Sequence, residues 1–93
     1  MTTNIQPIDP IAPGRILSEE LEARDIGVED AARLLGIRLN QLMGVILGEK
    51  PLTPHLALAL ERKLGTPAIV WMNLESAYQL AMARKKAGER QTA

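Results

Sequence analysis

Apolar side chains recur at three- and four-residue intervals along most of the chain, and glycine, proline and threonine interrupt them at well-spaced points. This is the pattern of short amphipathic helices separated by caps and turns. Pro13 suits a first helical position, and a helix follows to about Arg24. Its apolar stripe is Ile16, Leu17 and Leu21, and Glu19, Glu20 and Glu22 make its outer side acidic. Asp25-Ile26-Gly27 closes it and opens a second helix, whose predicted buried side is Ala31, Ala32, Leu34 and Leu35. Gly36 falls where a left-handed residue ends a helix, and Ile37 turns back into the core. A third helix from about Leu39 to Leu47 buries Leu42, Val45 and Ile46, and Gly48 stops it. Thr53-Pro54 pairs an N-cap with a proline start, predicting a fourth helix over Pro54 to Leu64 with Leu56, Ala57, Leu60 and Leu64 inside. Gly65 ends it, and Thr66-Pro67 repeats the start signal for a last helix reaching Arg84-Lys85-Lys86. The expected fold is therefore all-α, with five helices, or six if the last breaks near Asn73. Residues 1–12 read as an irregular arm, 13–87 as one domain and 88–93 as a frayed tail.

Helices two and three, joined by a short glycine turn, have the spacing of a helix-turn-helix, whose second helix enters the DNA major groove. On that reading the groove-facing set is Arg38, Leu39, Asn40, Gln41, Met43 and Gly44, with Lys50 just beyond the helix. Asn40 suits a paired contact to adenine, and Leu39 or Met43 suits thymine methyls. Arg38 and Lys50 are placed for phosphate, and Arg33, Arg62 and Lys63 add cations where their faces allow. The set is thin in charge and rich in apolar groups. An interior glycine costs about 1 kcal/mol against alanine, so something should need the space that Gly44 leaves. Leu39, Met43 and Leu47 step by four residues; Leu39 lies close in phase to the core positions Leu42 and Ile46, and an exposed apolar row there points to a protein contact instead of a groove contact.

Composition narrows the alternatives. There is no cysteine and a single histidine, His55, so disulfides, thiol chemistry and His/Cys metal sites are not expected. No nucleophile stands beside a base and no glycine loop could cradle phosphate, so catalysis and cofactors are not expected either. No apolar run is long enough for a membrane span. The N-terminus lacks the basic start and apolar stretch of a signal peptide, which makes the cytoplasm the expected location. Net charge is zero, but residues 1–30 carry seven acids against two bases, and residues 31–93 carry nine bases against four acids. Such a dipolar chain can offer one face to an anionic partner and another to a basic one.

Three stretches carry a family resemblance. Pro13-Gly14-Arg15-Ile16-Leu17-Ser18-Glu19-Glu20-Leu21 is similar to a His-Pro-Gly-Glu-Ile-Leu opening, with Ala12 in place of the histidine. Gly48-Glu49-Lys50-Pro51-Leu52-Thr53-Pro54 is similar to a Gly-Lys-x-x-Ile-Thr-Pro loop. Trp71-Met72-Asn73-Leu74-Glu75-Ser76-Ala77-Tyr78-Gln79-Leu80 is close to a Trp-Leu-Asn-Leu-Gln-x-Ala-Tyr-x-Leu signature. Together they resemble the HigA-type antitoxins, a branch of the Cro and phage-repressor (XRE) helix-turn-helix superfamily. The resemblance implies a homodimer that binds double-stranded operator DNA, represses its own operon and neutralises a HigB-like, mRNA-cleaving toxin. It also implies that the last helix pairs the subunits. Trp71, Tyr78, Leu80, Ala81 and Met82 are the candidates, although residues such as Trp71 and Tyr78 are more often core anchors. A basic toxin would be drawn to Glu19, Glu20 and Glu22. The departures lie where DNA is read: family members usually carry a polar residue at Val28, Ser at Arg38, Arg or Gln at Leu39, and a long polar residue at Gly44. The alternative is thus a dimeric protein-interaction module of the same fold that has lost sequence-specific DNA binding.

Overall fold

Pro13 starts α1 (Pro13–Ala23) after an extended Ala12, whose carbonyl accepts the Arg15 N–H at 3.0 Å. The computed structural model describes residues 10–91, with side chains through 88. Four further helices follow: α2 (Val28–Leu35), α3 (Leu39–Ile46), α4 (Pro54–Leu64) and α5 (Ala68–Gln91). No strand occurs among the described residues, and none of their helices is long and apolar enough to cross a membrane. The part of the expected arm over residues 1–9 lies outside the described residues. Residues 10–12 have no regular structure.

A left-handed residue follows each of the first four helices: Asp25, Gly36, Gly48 and Gly65. Asp25 (φ 59°) ends α1, with its own N–H donating to Glu22 and the Ile26 N–H donating to Leu21 at 2.9 Å. Aspartate is among the few non-glycine residues that accept this conformation, and the paired bonds satisfy carbonyls the helix leaves open. Gly36 (φ 70°) does the same for α2, with the Ile37 N–H reaching Ala32. At the start of α4 the Thr53 hydroxyl accepts the Leu56 N–H, as the Thr-Pro signal predicts. The start of α5 differs: a carboxylate oxygen of Glu61, on the preceding helix, accepts the Ala68 N–H at 2.7 Å. A guanidinium nitrogen of Arg24 donates to the last α4 carbonyl, that of Leu64, at 2.9 Å and ties the ends of α1 and α4 together.

The core gathers Leu17 and Leu21 of α1, Ala31, Ala32 and Leu35 of α2, Leu42 and Val45 of α3, five α4 residues, Leu52 and Trp71. Leu34 is turned out to solvent, contrary to the periodicity reading. The inward face of α2 is centred on Ala31 and Leu35, and Leu34 falls on the far side of Ala31 from Ala32. Ile46 is only half buried. The last helix does not break at Asn73, and it continues through Gln91 into the stretch expected to fray. At 24 residues it is about 36 Å long. Its first turns pack on α4 and α1, and the molecule measures 47 × 27 × 21 Å.

Candidate nucleic-acid interface

The turn over residues 36–38 sets α3 across α2 as a helix-turn-helix requires, with Leu42 and Val45 anchored in the core. Asn40, Met43 and Leu47, spaced i, i+3, i+7, lie on the opposite side of α3, with Leu39 at its edge. Arg38 and Asn40 are exposed, Leu39 and Leu47 are 38% and 60% exposed, and Met43 and Gln41 are half buried. Six of the seven sequence-derived groove residues thus retain an accessible side chain.

Gly44 is the exception. It is buried under the Lys50 side chain: a β-carbon placed there would stand 2.7 Å from Lys50 Cδ and 2.9 Å from Cγ. The Gly44 carbonyl accepts both the Glu49 N–H (2.8 Å) and the Lys50 N–H (3.0 Å), which folds the post-helix turn back on α3 around left-handed Gly48. The missing side chain therefore makes room for the Lys50 stem, and the expectation that Gly44 itself meets DNA is corrected accordingly. Gly44→Ala is expected to leave the thermal midpoint unchanged or slightly raised, since the helix gains up to about 1 kcal/mol and only an exposed, flexible stem must yield. The Lys50 methylene resonances in an NMR spectrum should move toward random-coil positions. Unmoved resonances would mean that the stem does not lie there in solution.

The turn after α3 is also fixed from α5. Glu75, 6% exposed, accepts the Leu52 N–H at 2.9 Å through one carboxylate oxygen, and its other oxygen accepts the Gln79 side-chain amide at 2.6 Å. Sequence reasoning passed over Glu75 as part of a signature. Its signal was position: four residues after Trp71, it falls on the same inward face. Tyr78 follows on that face, half buried, with its hydroxyl near Gly48.

Trp71 is 2% exposed and sits in the core of its own protomer, so its side chain is not free for a subunit seam. The remaining seam candidates divide. Tyr78, Ala81 and Met82 are half buried, Tyr78 and Met82 lying in helical register with Trp71 and Glu75. Leu80 faces solvent on the side of Ile69, Val70 and Ala77. Of the acidic trio, Glu19 pairs with Arg15 at 3.7 Å and Glu20 with Arg24 at 3.0 Å, and Arg33 pairs with Asp30. Glu22 is exposed and, with Ser18 and Asp25, borders an open groove between α1 and α2 whose apolar lining includes Leu21, Ile26, Val28 and Ile46.

No protein-family model matches the chain. Individual proteins do. The uncharacterized HTH-type transcriptional regulator YddM of Escherichia coli is 32% identical over 73 residues, 78% of each chain. The solved structure of a HigA-family addiction module antidote protein from Coxiella burnetii shares 37% identity, with a TM-score of 0.84 over 89% of this chain and 91% of its own. The Pseudomonas aeruginosa antitoxin HigA, solved with the higBA promoter, shares 34% identity, with a TM-score of 0.81 over 87% of this chain and 89% of its own. With the capped helix-turn-helix, the Thr-Pro loop and the Trp71–Leu80 motif in these positions, the chain belongs to the HigA family of helix-turn-helix antitoxins.

Proposed function

We propose that the protein is an operator-binding antitoxin that acts as a dimer, represses its own operon and neutralises a ribonuclease toxin by direct contact. The observation that carries the DNA half is the amide-bearing side of α3. Asn40 is exposed beside the helix-start cation Arg38, on a helix whose opposite side is anchored in the core. The similar Pseudomonas antitoxin was solved with its promoter, which supports the same use of the fold here. For the dimer, the exposed apolar line of Ile69, Val70, Ala77 and Leu80 on α5 offers a surface for an isologous contact. For the toxin, Glu22 is the acid best placed to attract a basic partner, since Glu19 and Glu20 already have cations beside them.

Titrations of operator and random duplex test the DNA half. Asn40→Ala is expected to weaken the cognate site by about 1–3 kcal/mol and leave random DNA unchanged. Arg38→Ala should weaken both and lower the salt slope by about 1, the signature of a lost phosphate contact. Equal, weak binding of wild-type protein to the two duplexes would overturn the repressor reading. It would favour the protein-interaction module instead, to which the exposure of Leu39 and Leu47 already lends weight.

A further inference from the structure

The outward side of α3 has an unusual chemistry for a reading helix. Between Arg38 and Lys50 the chain contains no arginine or lysine. The side chains available there are Leu39, Met43 and Leu47 along one edge, with Asn40 beside them and Gln41 half covered. Lys50 lies on the other flank, its stem across Gly44. Guanine is most often read by a paired arginine or lysine contact to O6 and N7, and within the helix itself no side chain can make one. The major groove presents one apolar group on a base edge, the C5 methyl of thymine.

We propose that the protein reads its operator through thymine methyl groups, set against the Leu39–Met43–Leu47 edge, with Asn40 contacting a neighbouring adenine. This rests on the operator-binding reading and specifies its target: half-sites with A·T pairs under α3, thymine facing the leucine edge. Two leucines left in water on a helix otherwise anchored inward gain from covering such methyls. Asn40 keeps the register by pairing with adenine N6 and N7. Phosphate contacts from Arg38 and Lys50 then supply affinity without choosing sequence.

The deciding arm uses the wild-type chain, so its outcome does not depend on a variant folding. Duplexes with a randomised centre are selected for binding, and the recovered site is resynthesised with deoxyuridine replacing thymidine one position at a time. That exchange deletes the methyl and keeps every hydrogen-bonding group and phosphate. A·T pairs should dominate the half-site centres, and uracil should weaken binding about fourfold at each methyl contacted, the effect of one buried methylene-sized group. Leu39→Ala, at an exposed position, should abolish the uracil effect at its own thymine and leave the others. Recovery of a specific site whose affinity no uracil substitution changes, or of half-sites built of G·C pairs, would overturn methyl reading and leave operator binding standing. Recovery of no preferred sequence would overturn both.

Discussion

Trp71→Ala is expected to remove about 3–5 kcal/mol of folding stability, the usual cost of emptying a buried tryptophan site. For 93 residues, total stability is about 5–14 kcal/mol, so the variant would retain only part of it. The ring lies in the core where α5 packs on α4 and α1, and removing it unseats the first turns of α5. Those same turns carry Glu75 and hold the Leu52 N–H behind the reading helix. Trp71→Phe should cost less than half as much. The indole N–H is buried with no acceptor among the described residues, so deleting it offsets part of the lost volume. Unfolding followed by far-UV circular dichroism measures both variants, because each removes the chain's single tryptophan fluorophore. A subunit-interface role makes a different prediction: the alanine variant would keep a stable protomer and lose stability mainly by dilution. That outcome would return Trp71 to the seam.

Local chemistry made the helix boundaries readable. Proline at a helix start, glycine in the left-handed region and the Thr53 cap each act within four residues, and α1 to α4 begin and end within about a residue of where those signals put them. The helix-turn-helix was legible for the same reason, along with the accessible side of α3. Contacts between distant segments were not. Glu75 meets Leu52 across 23 positions, and Arg24 meets Leu64 across 40. Periodicity can assign such residues to a face, but it cannot name their partners. Leu34 shows a second limit: in a helix of eight residues the phase of the apolar stripe rests on few positions, and one leucine can sit past its edge. Trp71 and Gly44 show a third. The family signature offered Trp71 to the seam beside its reading as a core anchor, and the helix-turn-helix offered Gly44 to the groove; the tryptophan is enclosed by its own protomer and the glycine by a lysine. The apolar edge of α3 was visible in the sequence as composition, and the exposure of Leu39 and Leu47 gives it a place on the surface.

Gly14→Ala is the second large effect, and it isolates the packing that sets the reading helix in place. A β-carbon at Gly14 would stand 1.8 Å from the Val45 carbonyl oxygen and 2.7 Å from Ile46 Cα, both backbone atoms of α3. Ordinary C···O approach is about 3.3 Å, so α1 and α3 would have to separate by roughly 1.5 Å. Backbone cannot turn aside as the Lys50 stem can at Gly44, so one substitution at two glycines of the same helix pair should have opposite outcomes. Gly14→Ala is expected to cost roughly 3 kcal/mol or more, at the upper end of overpacking, read as a lower urea midpoint with unchanged slope. Because Val45 is a core anchor of α3, the outward side chains from Arg38 to Leu47 would shift with it. Specific DNA affinity should therefore fall further than nonspecific affinity, even at temperatures where the variant remains folded. An unchanged urea midpoint would show that α1 and α3 do not approach this closely. A lowered midpoint with an unaltered ratio of specific to nonspecific binding would show that the geometry of α3 is fixed without α1, by α2 and the Glu75-anchored turn.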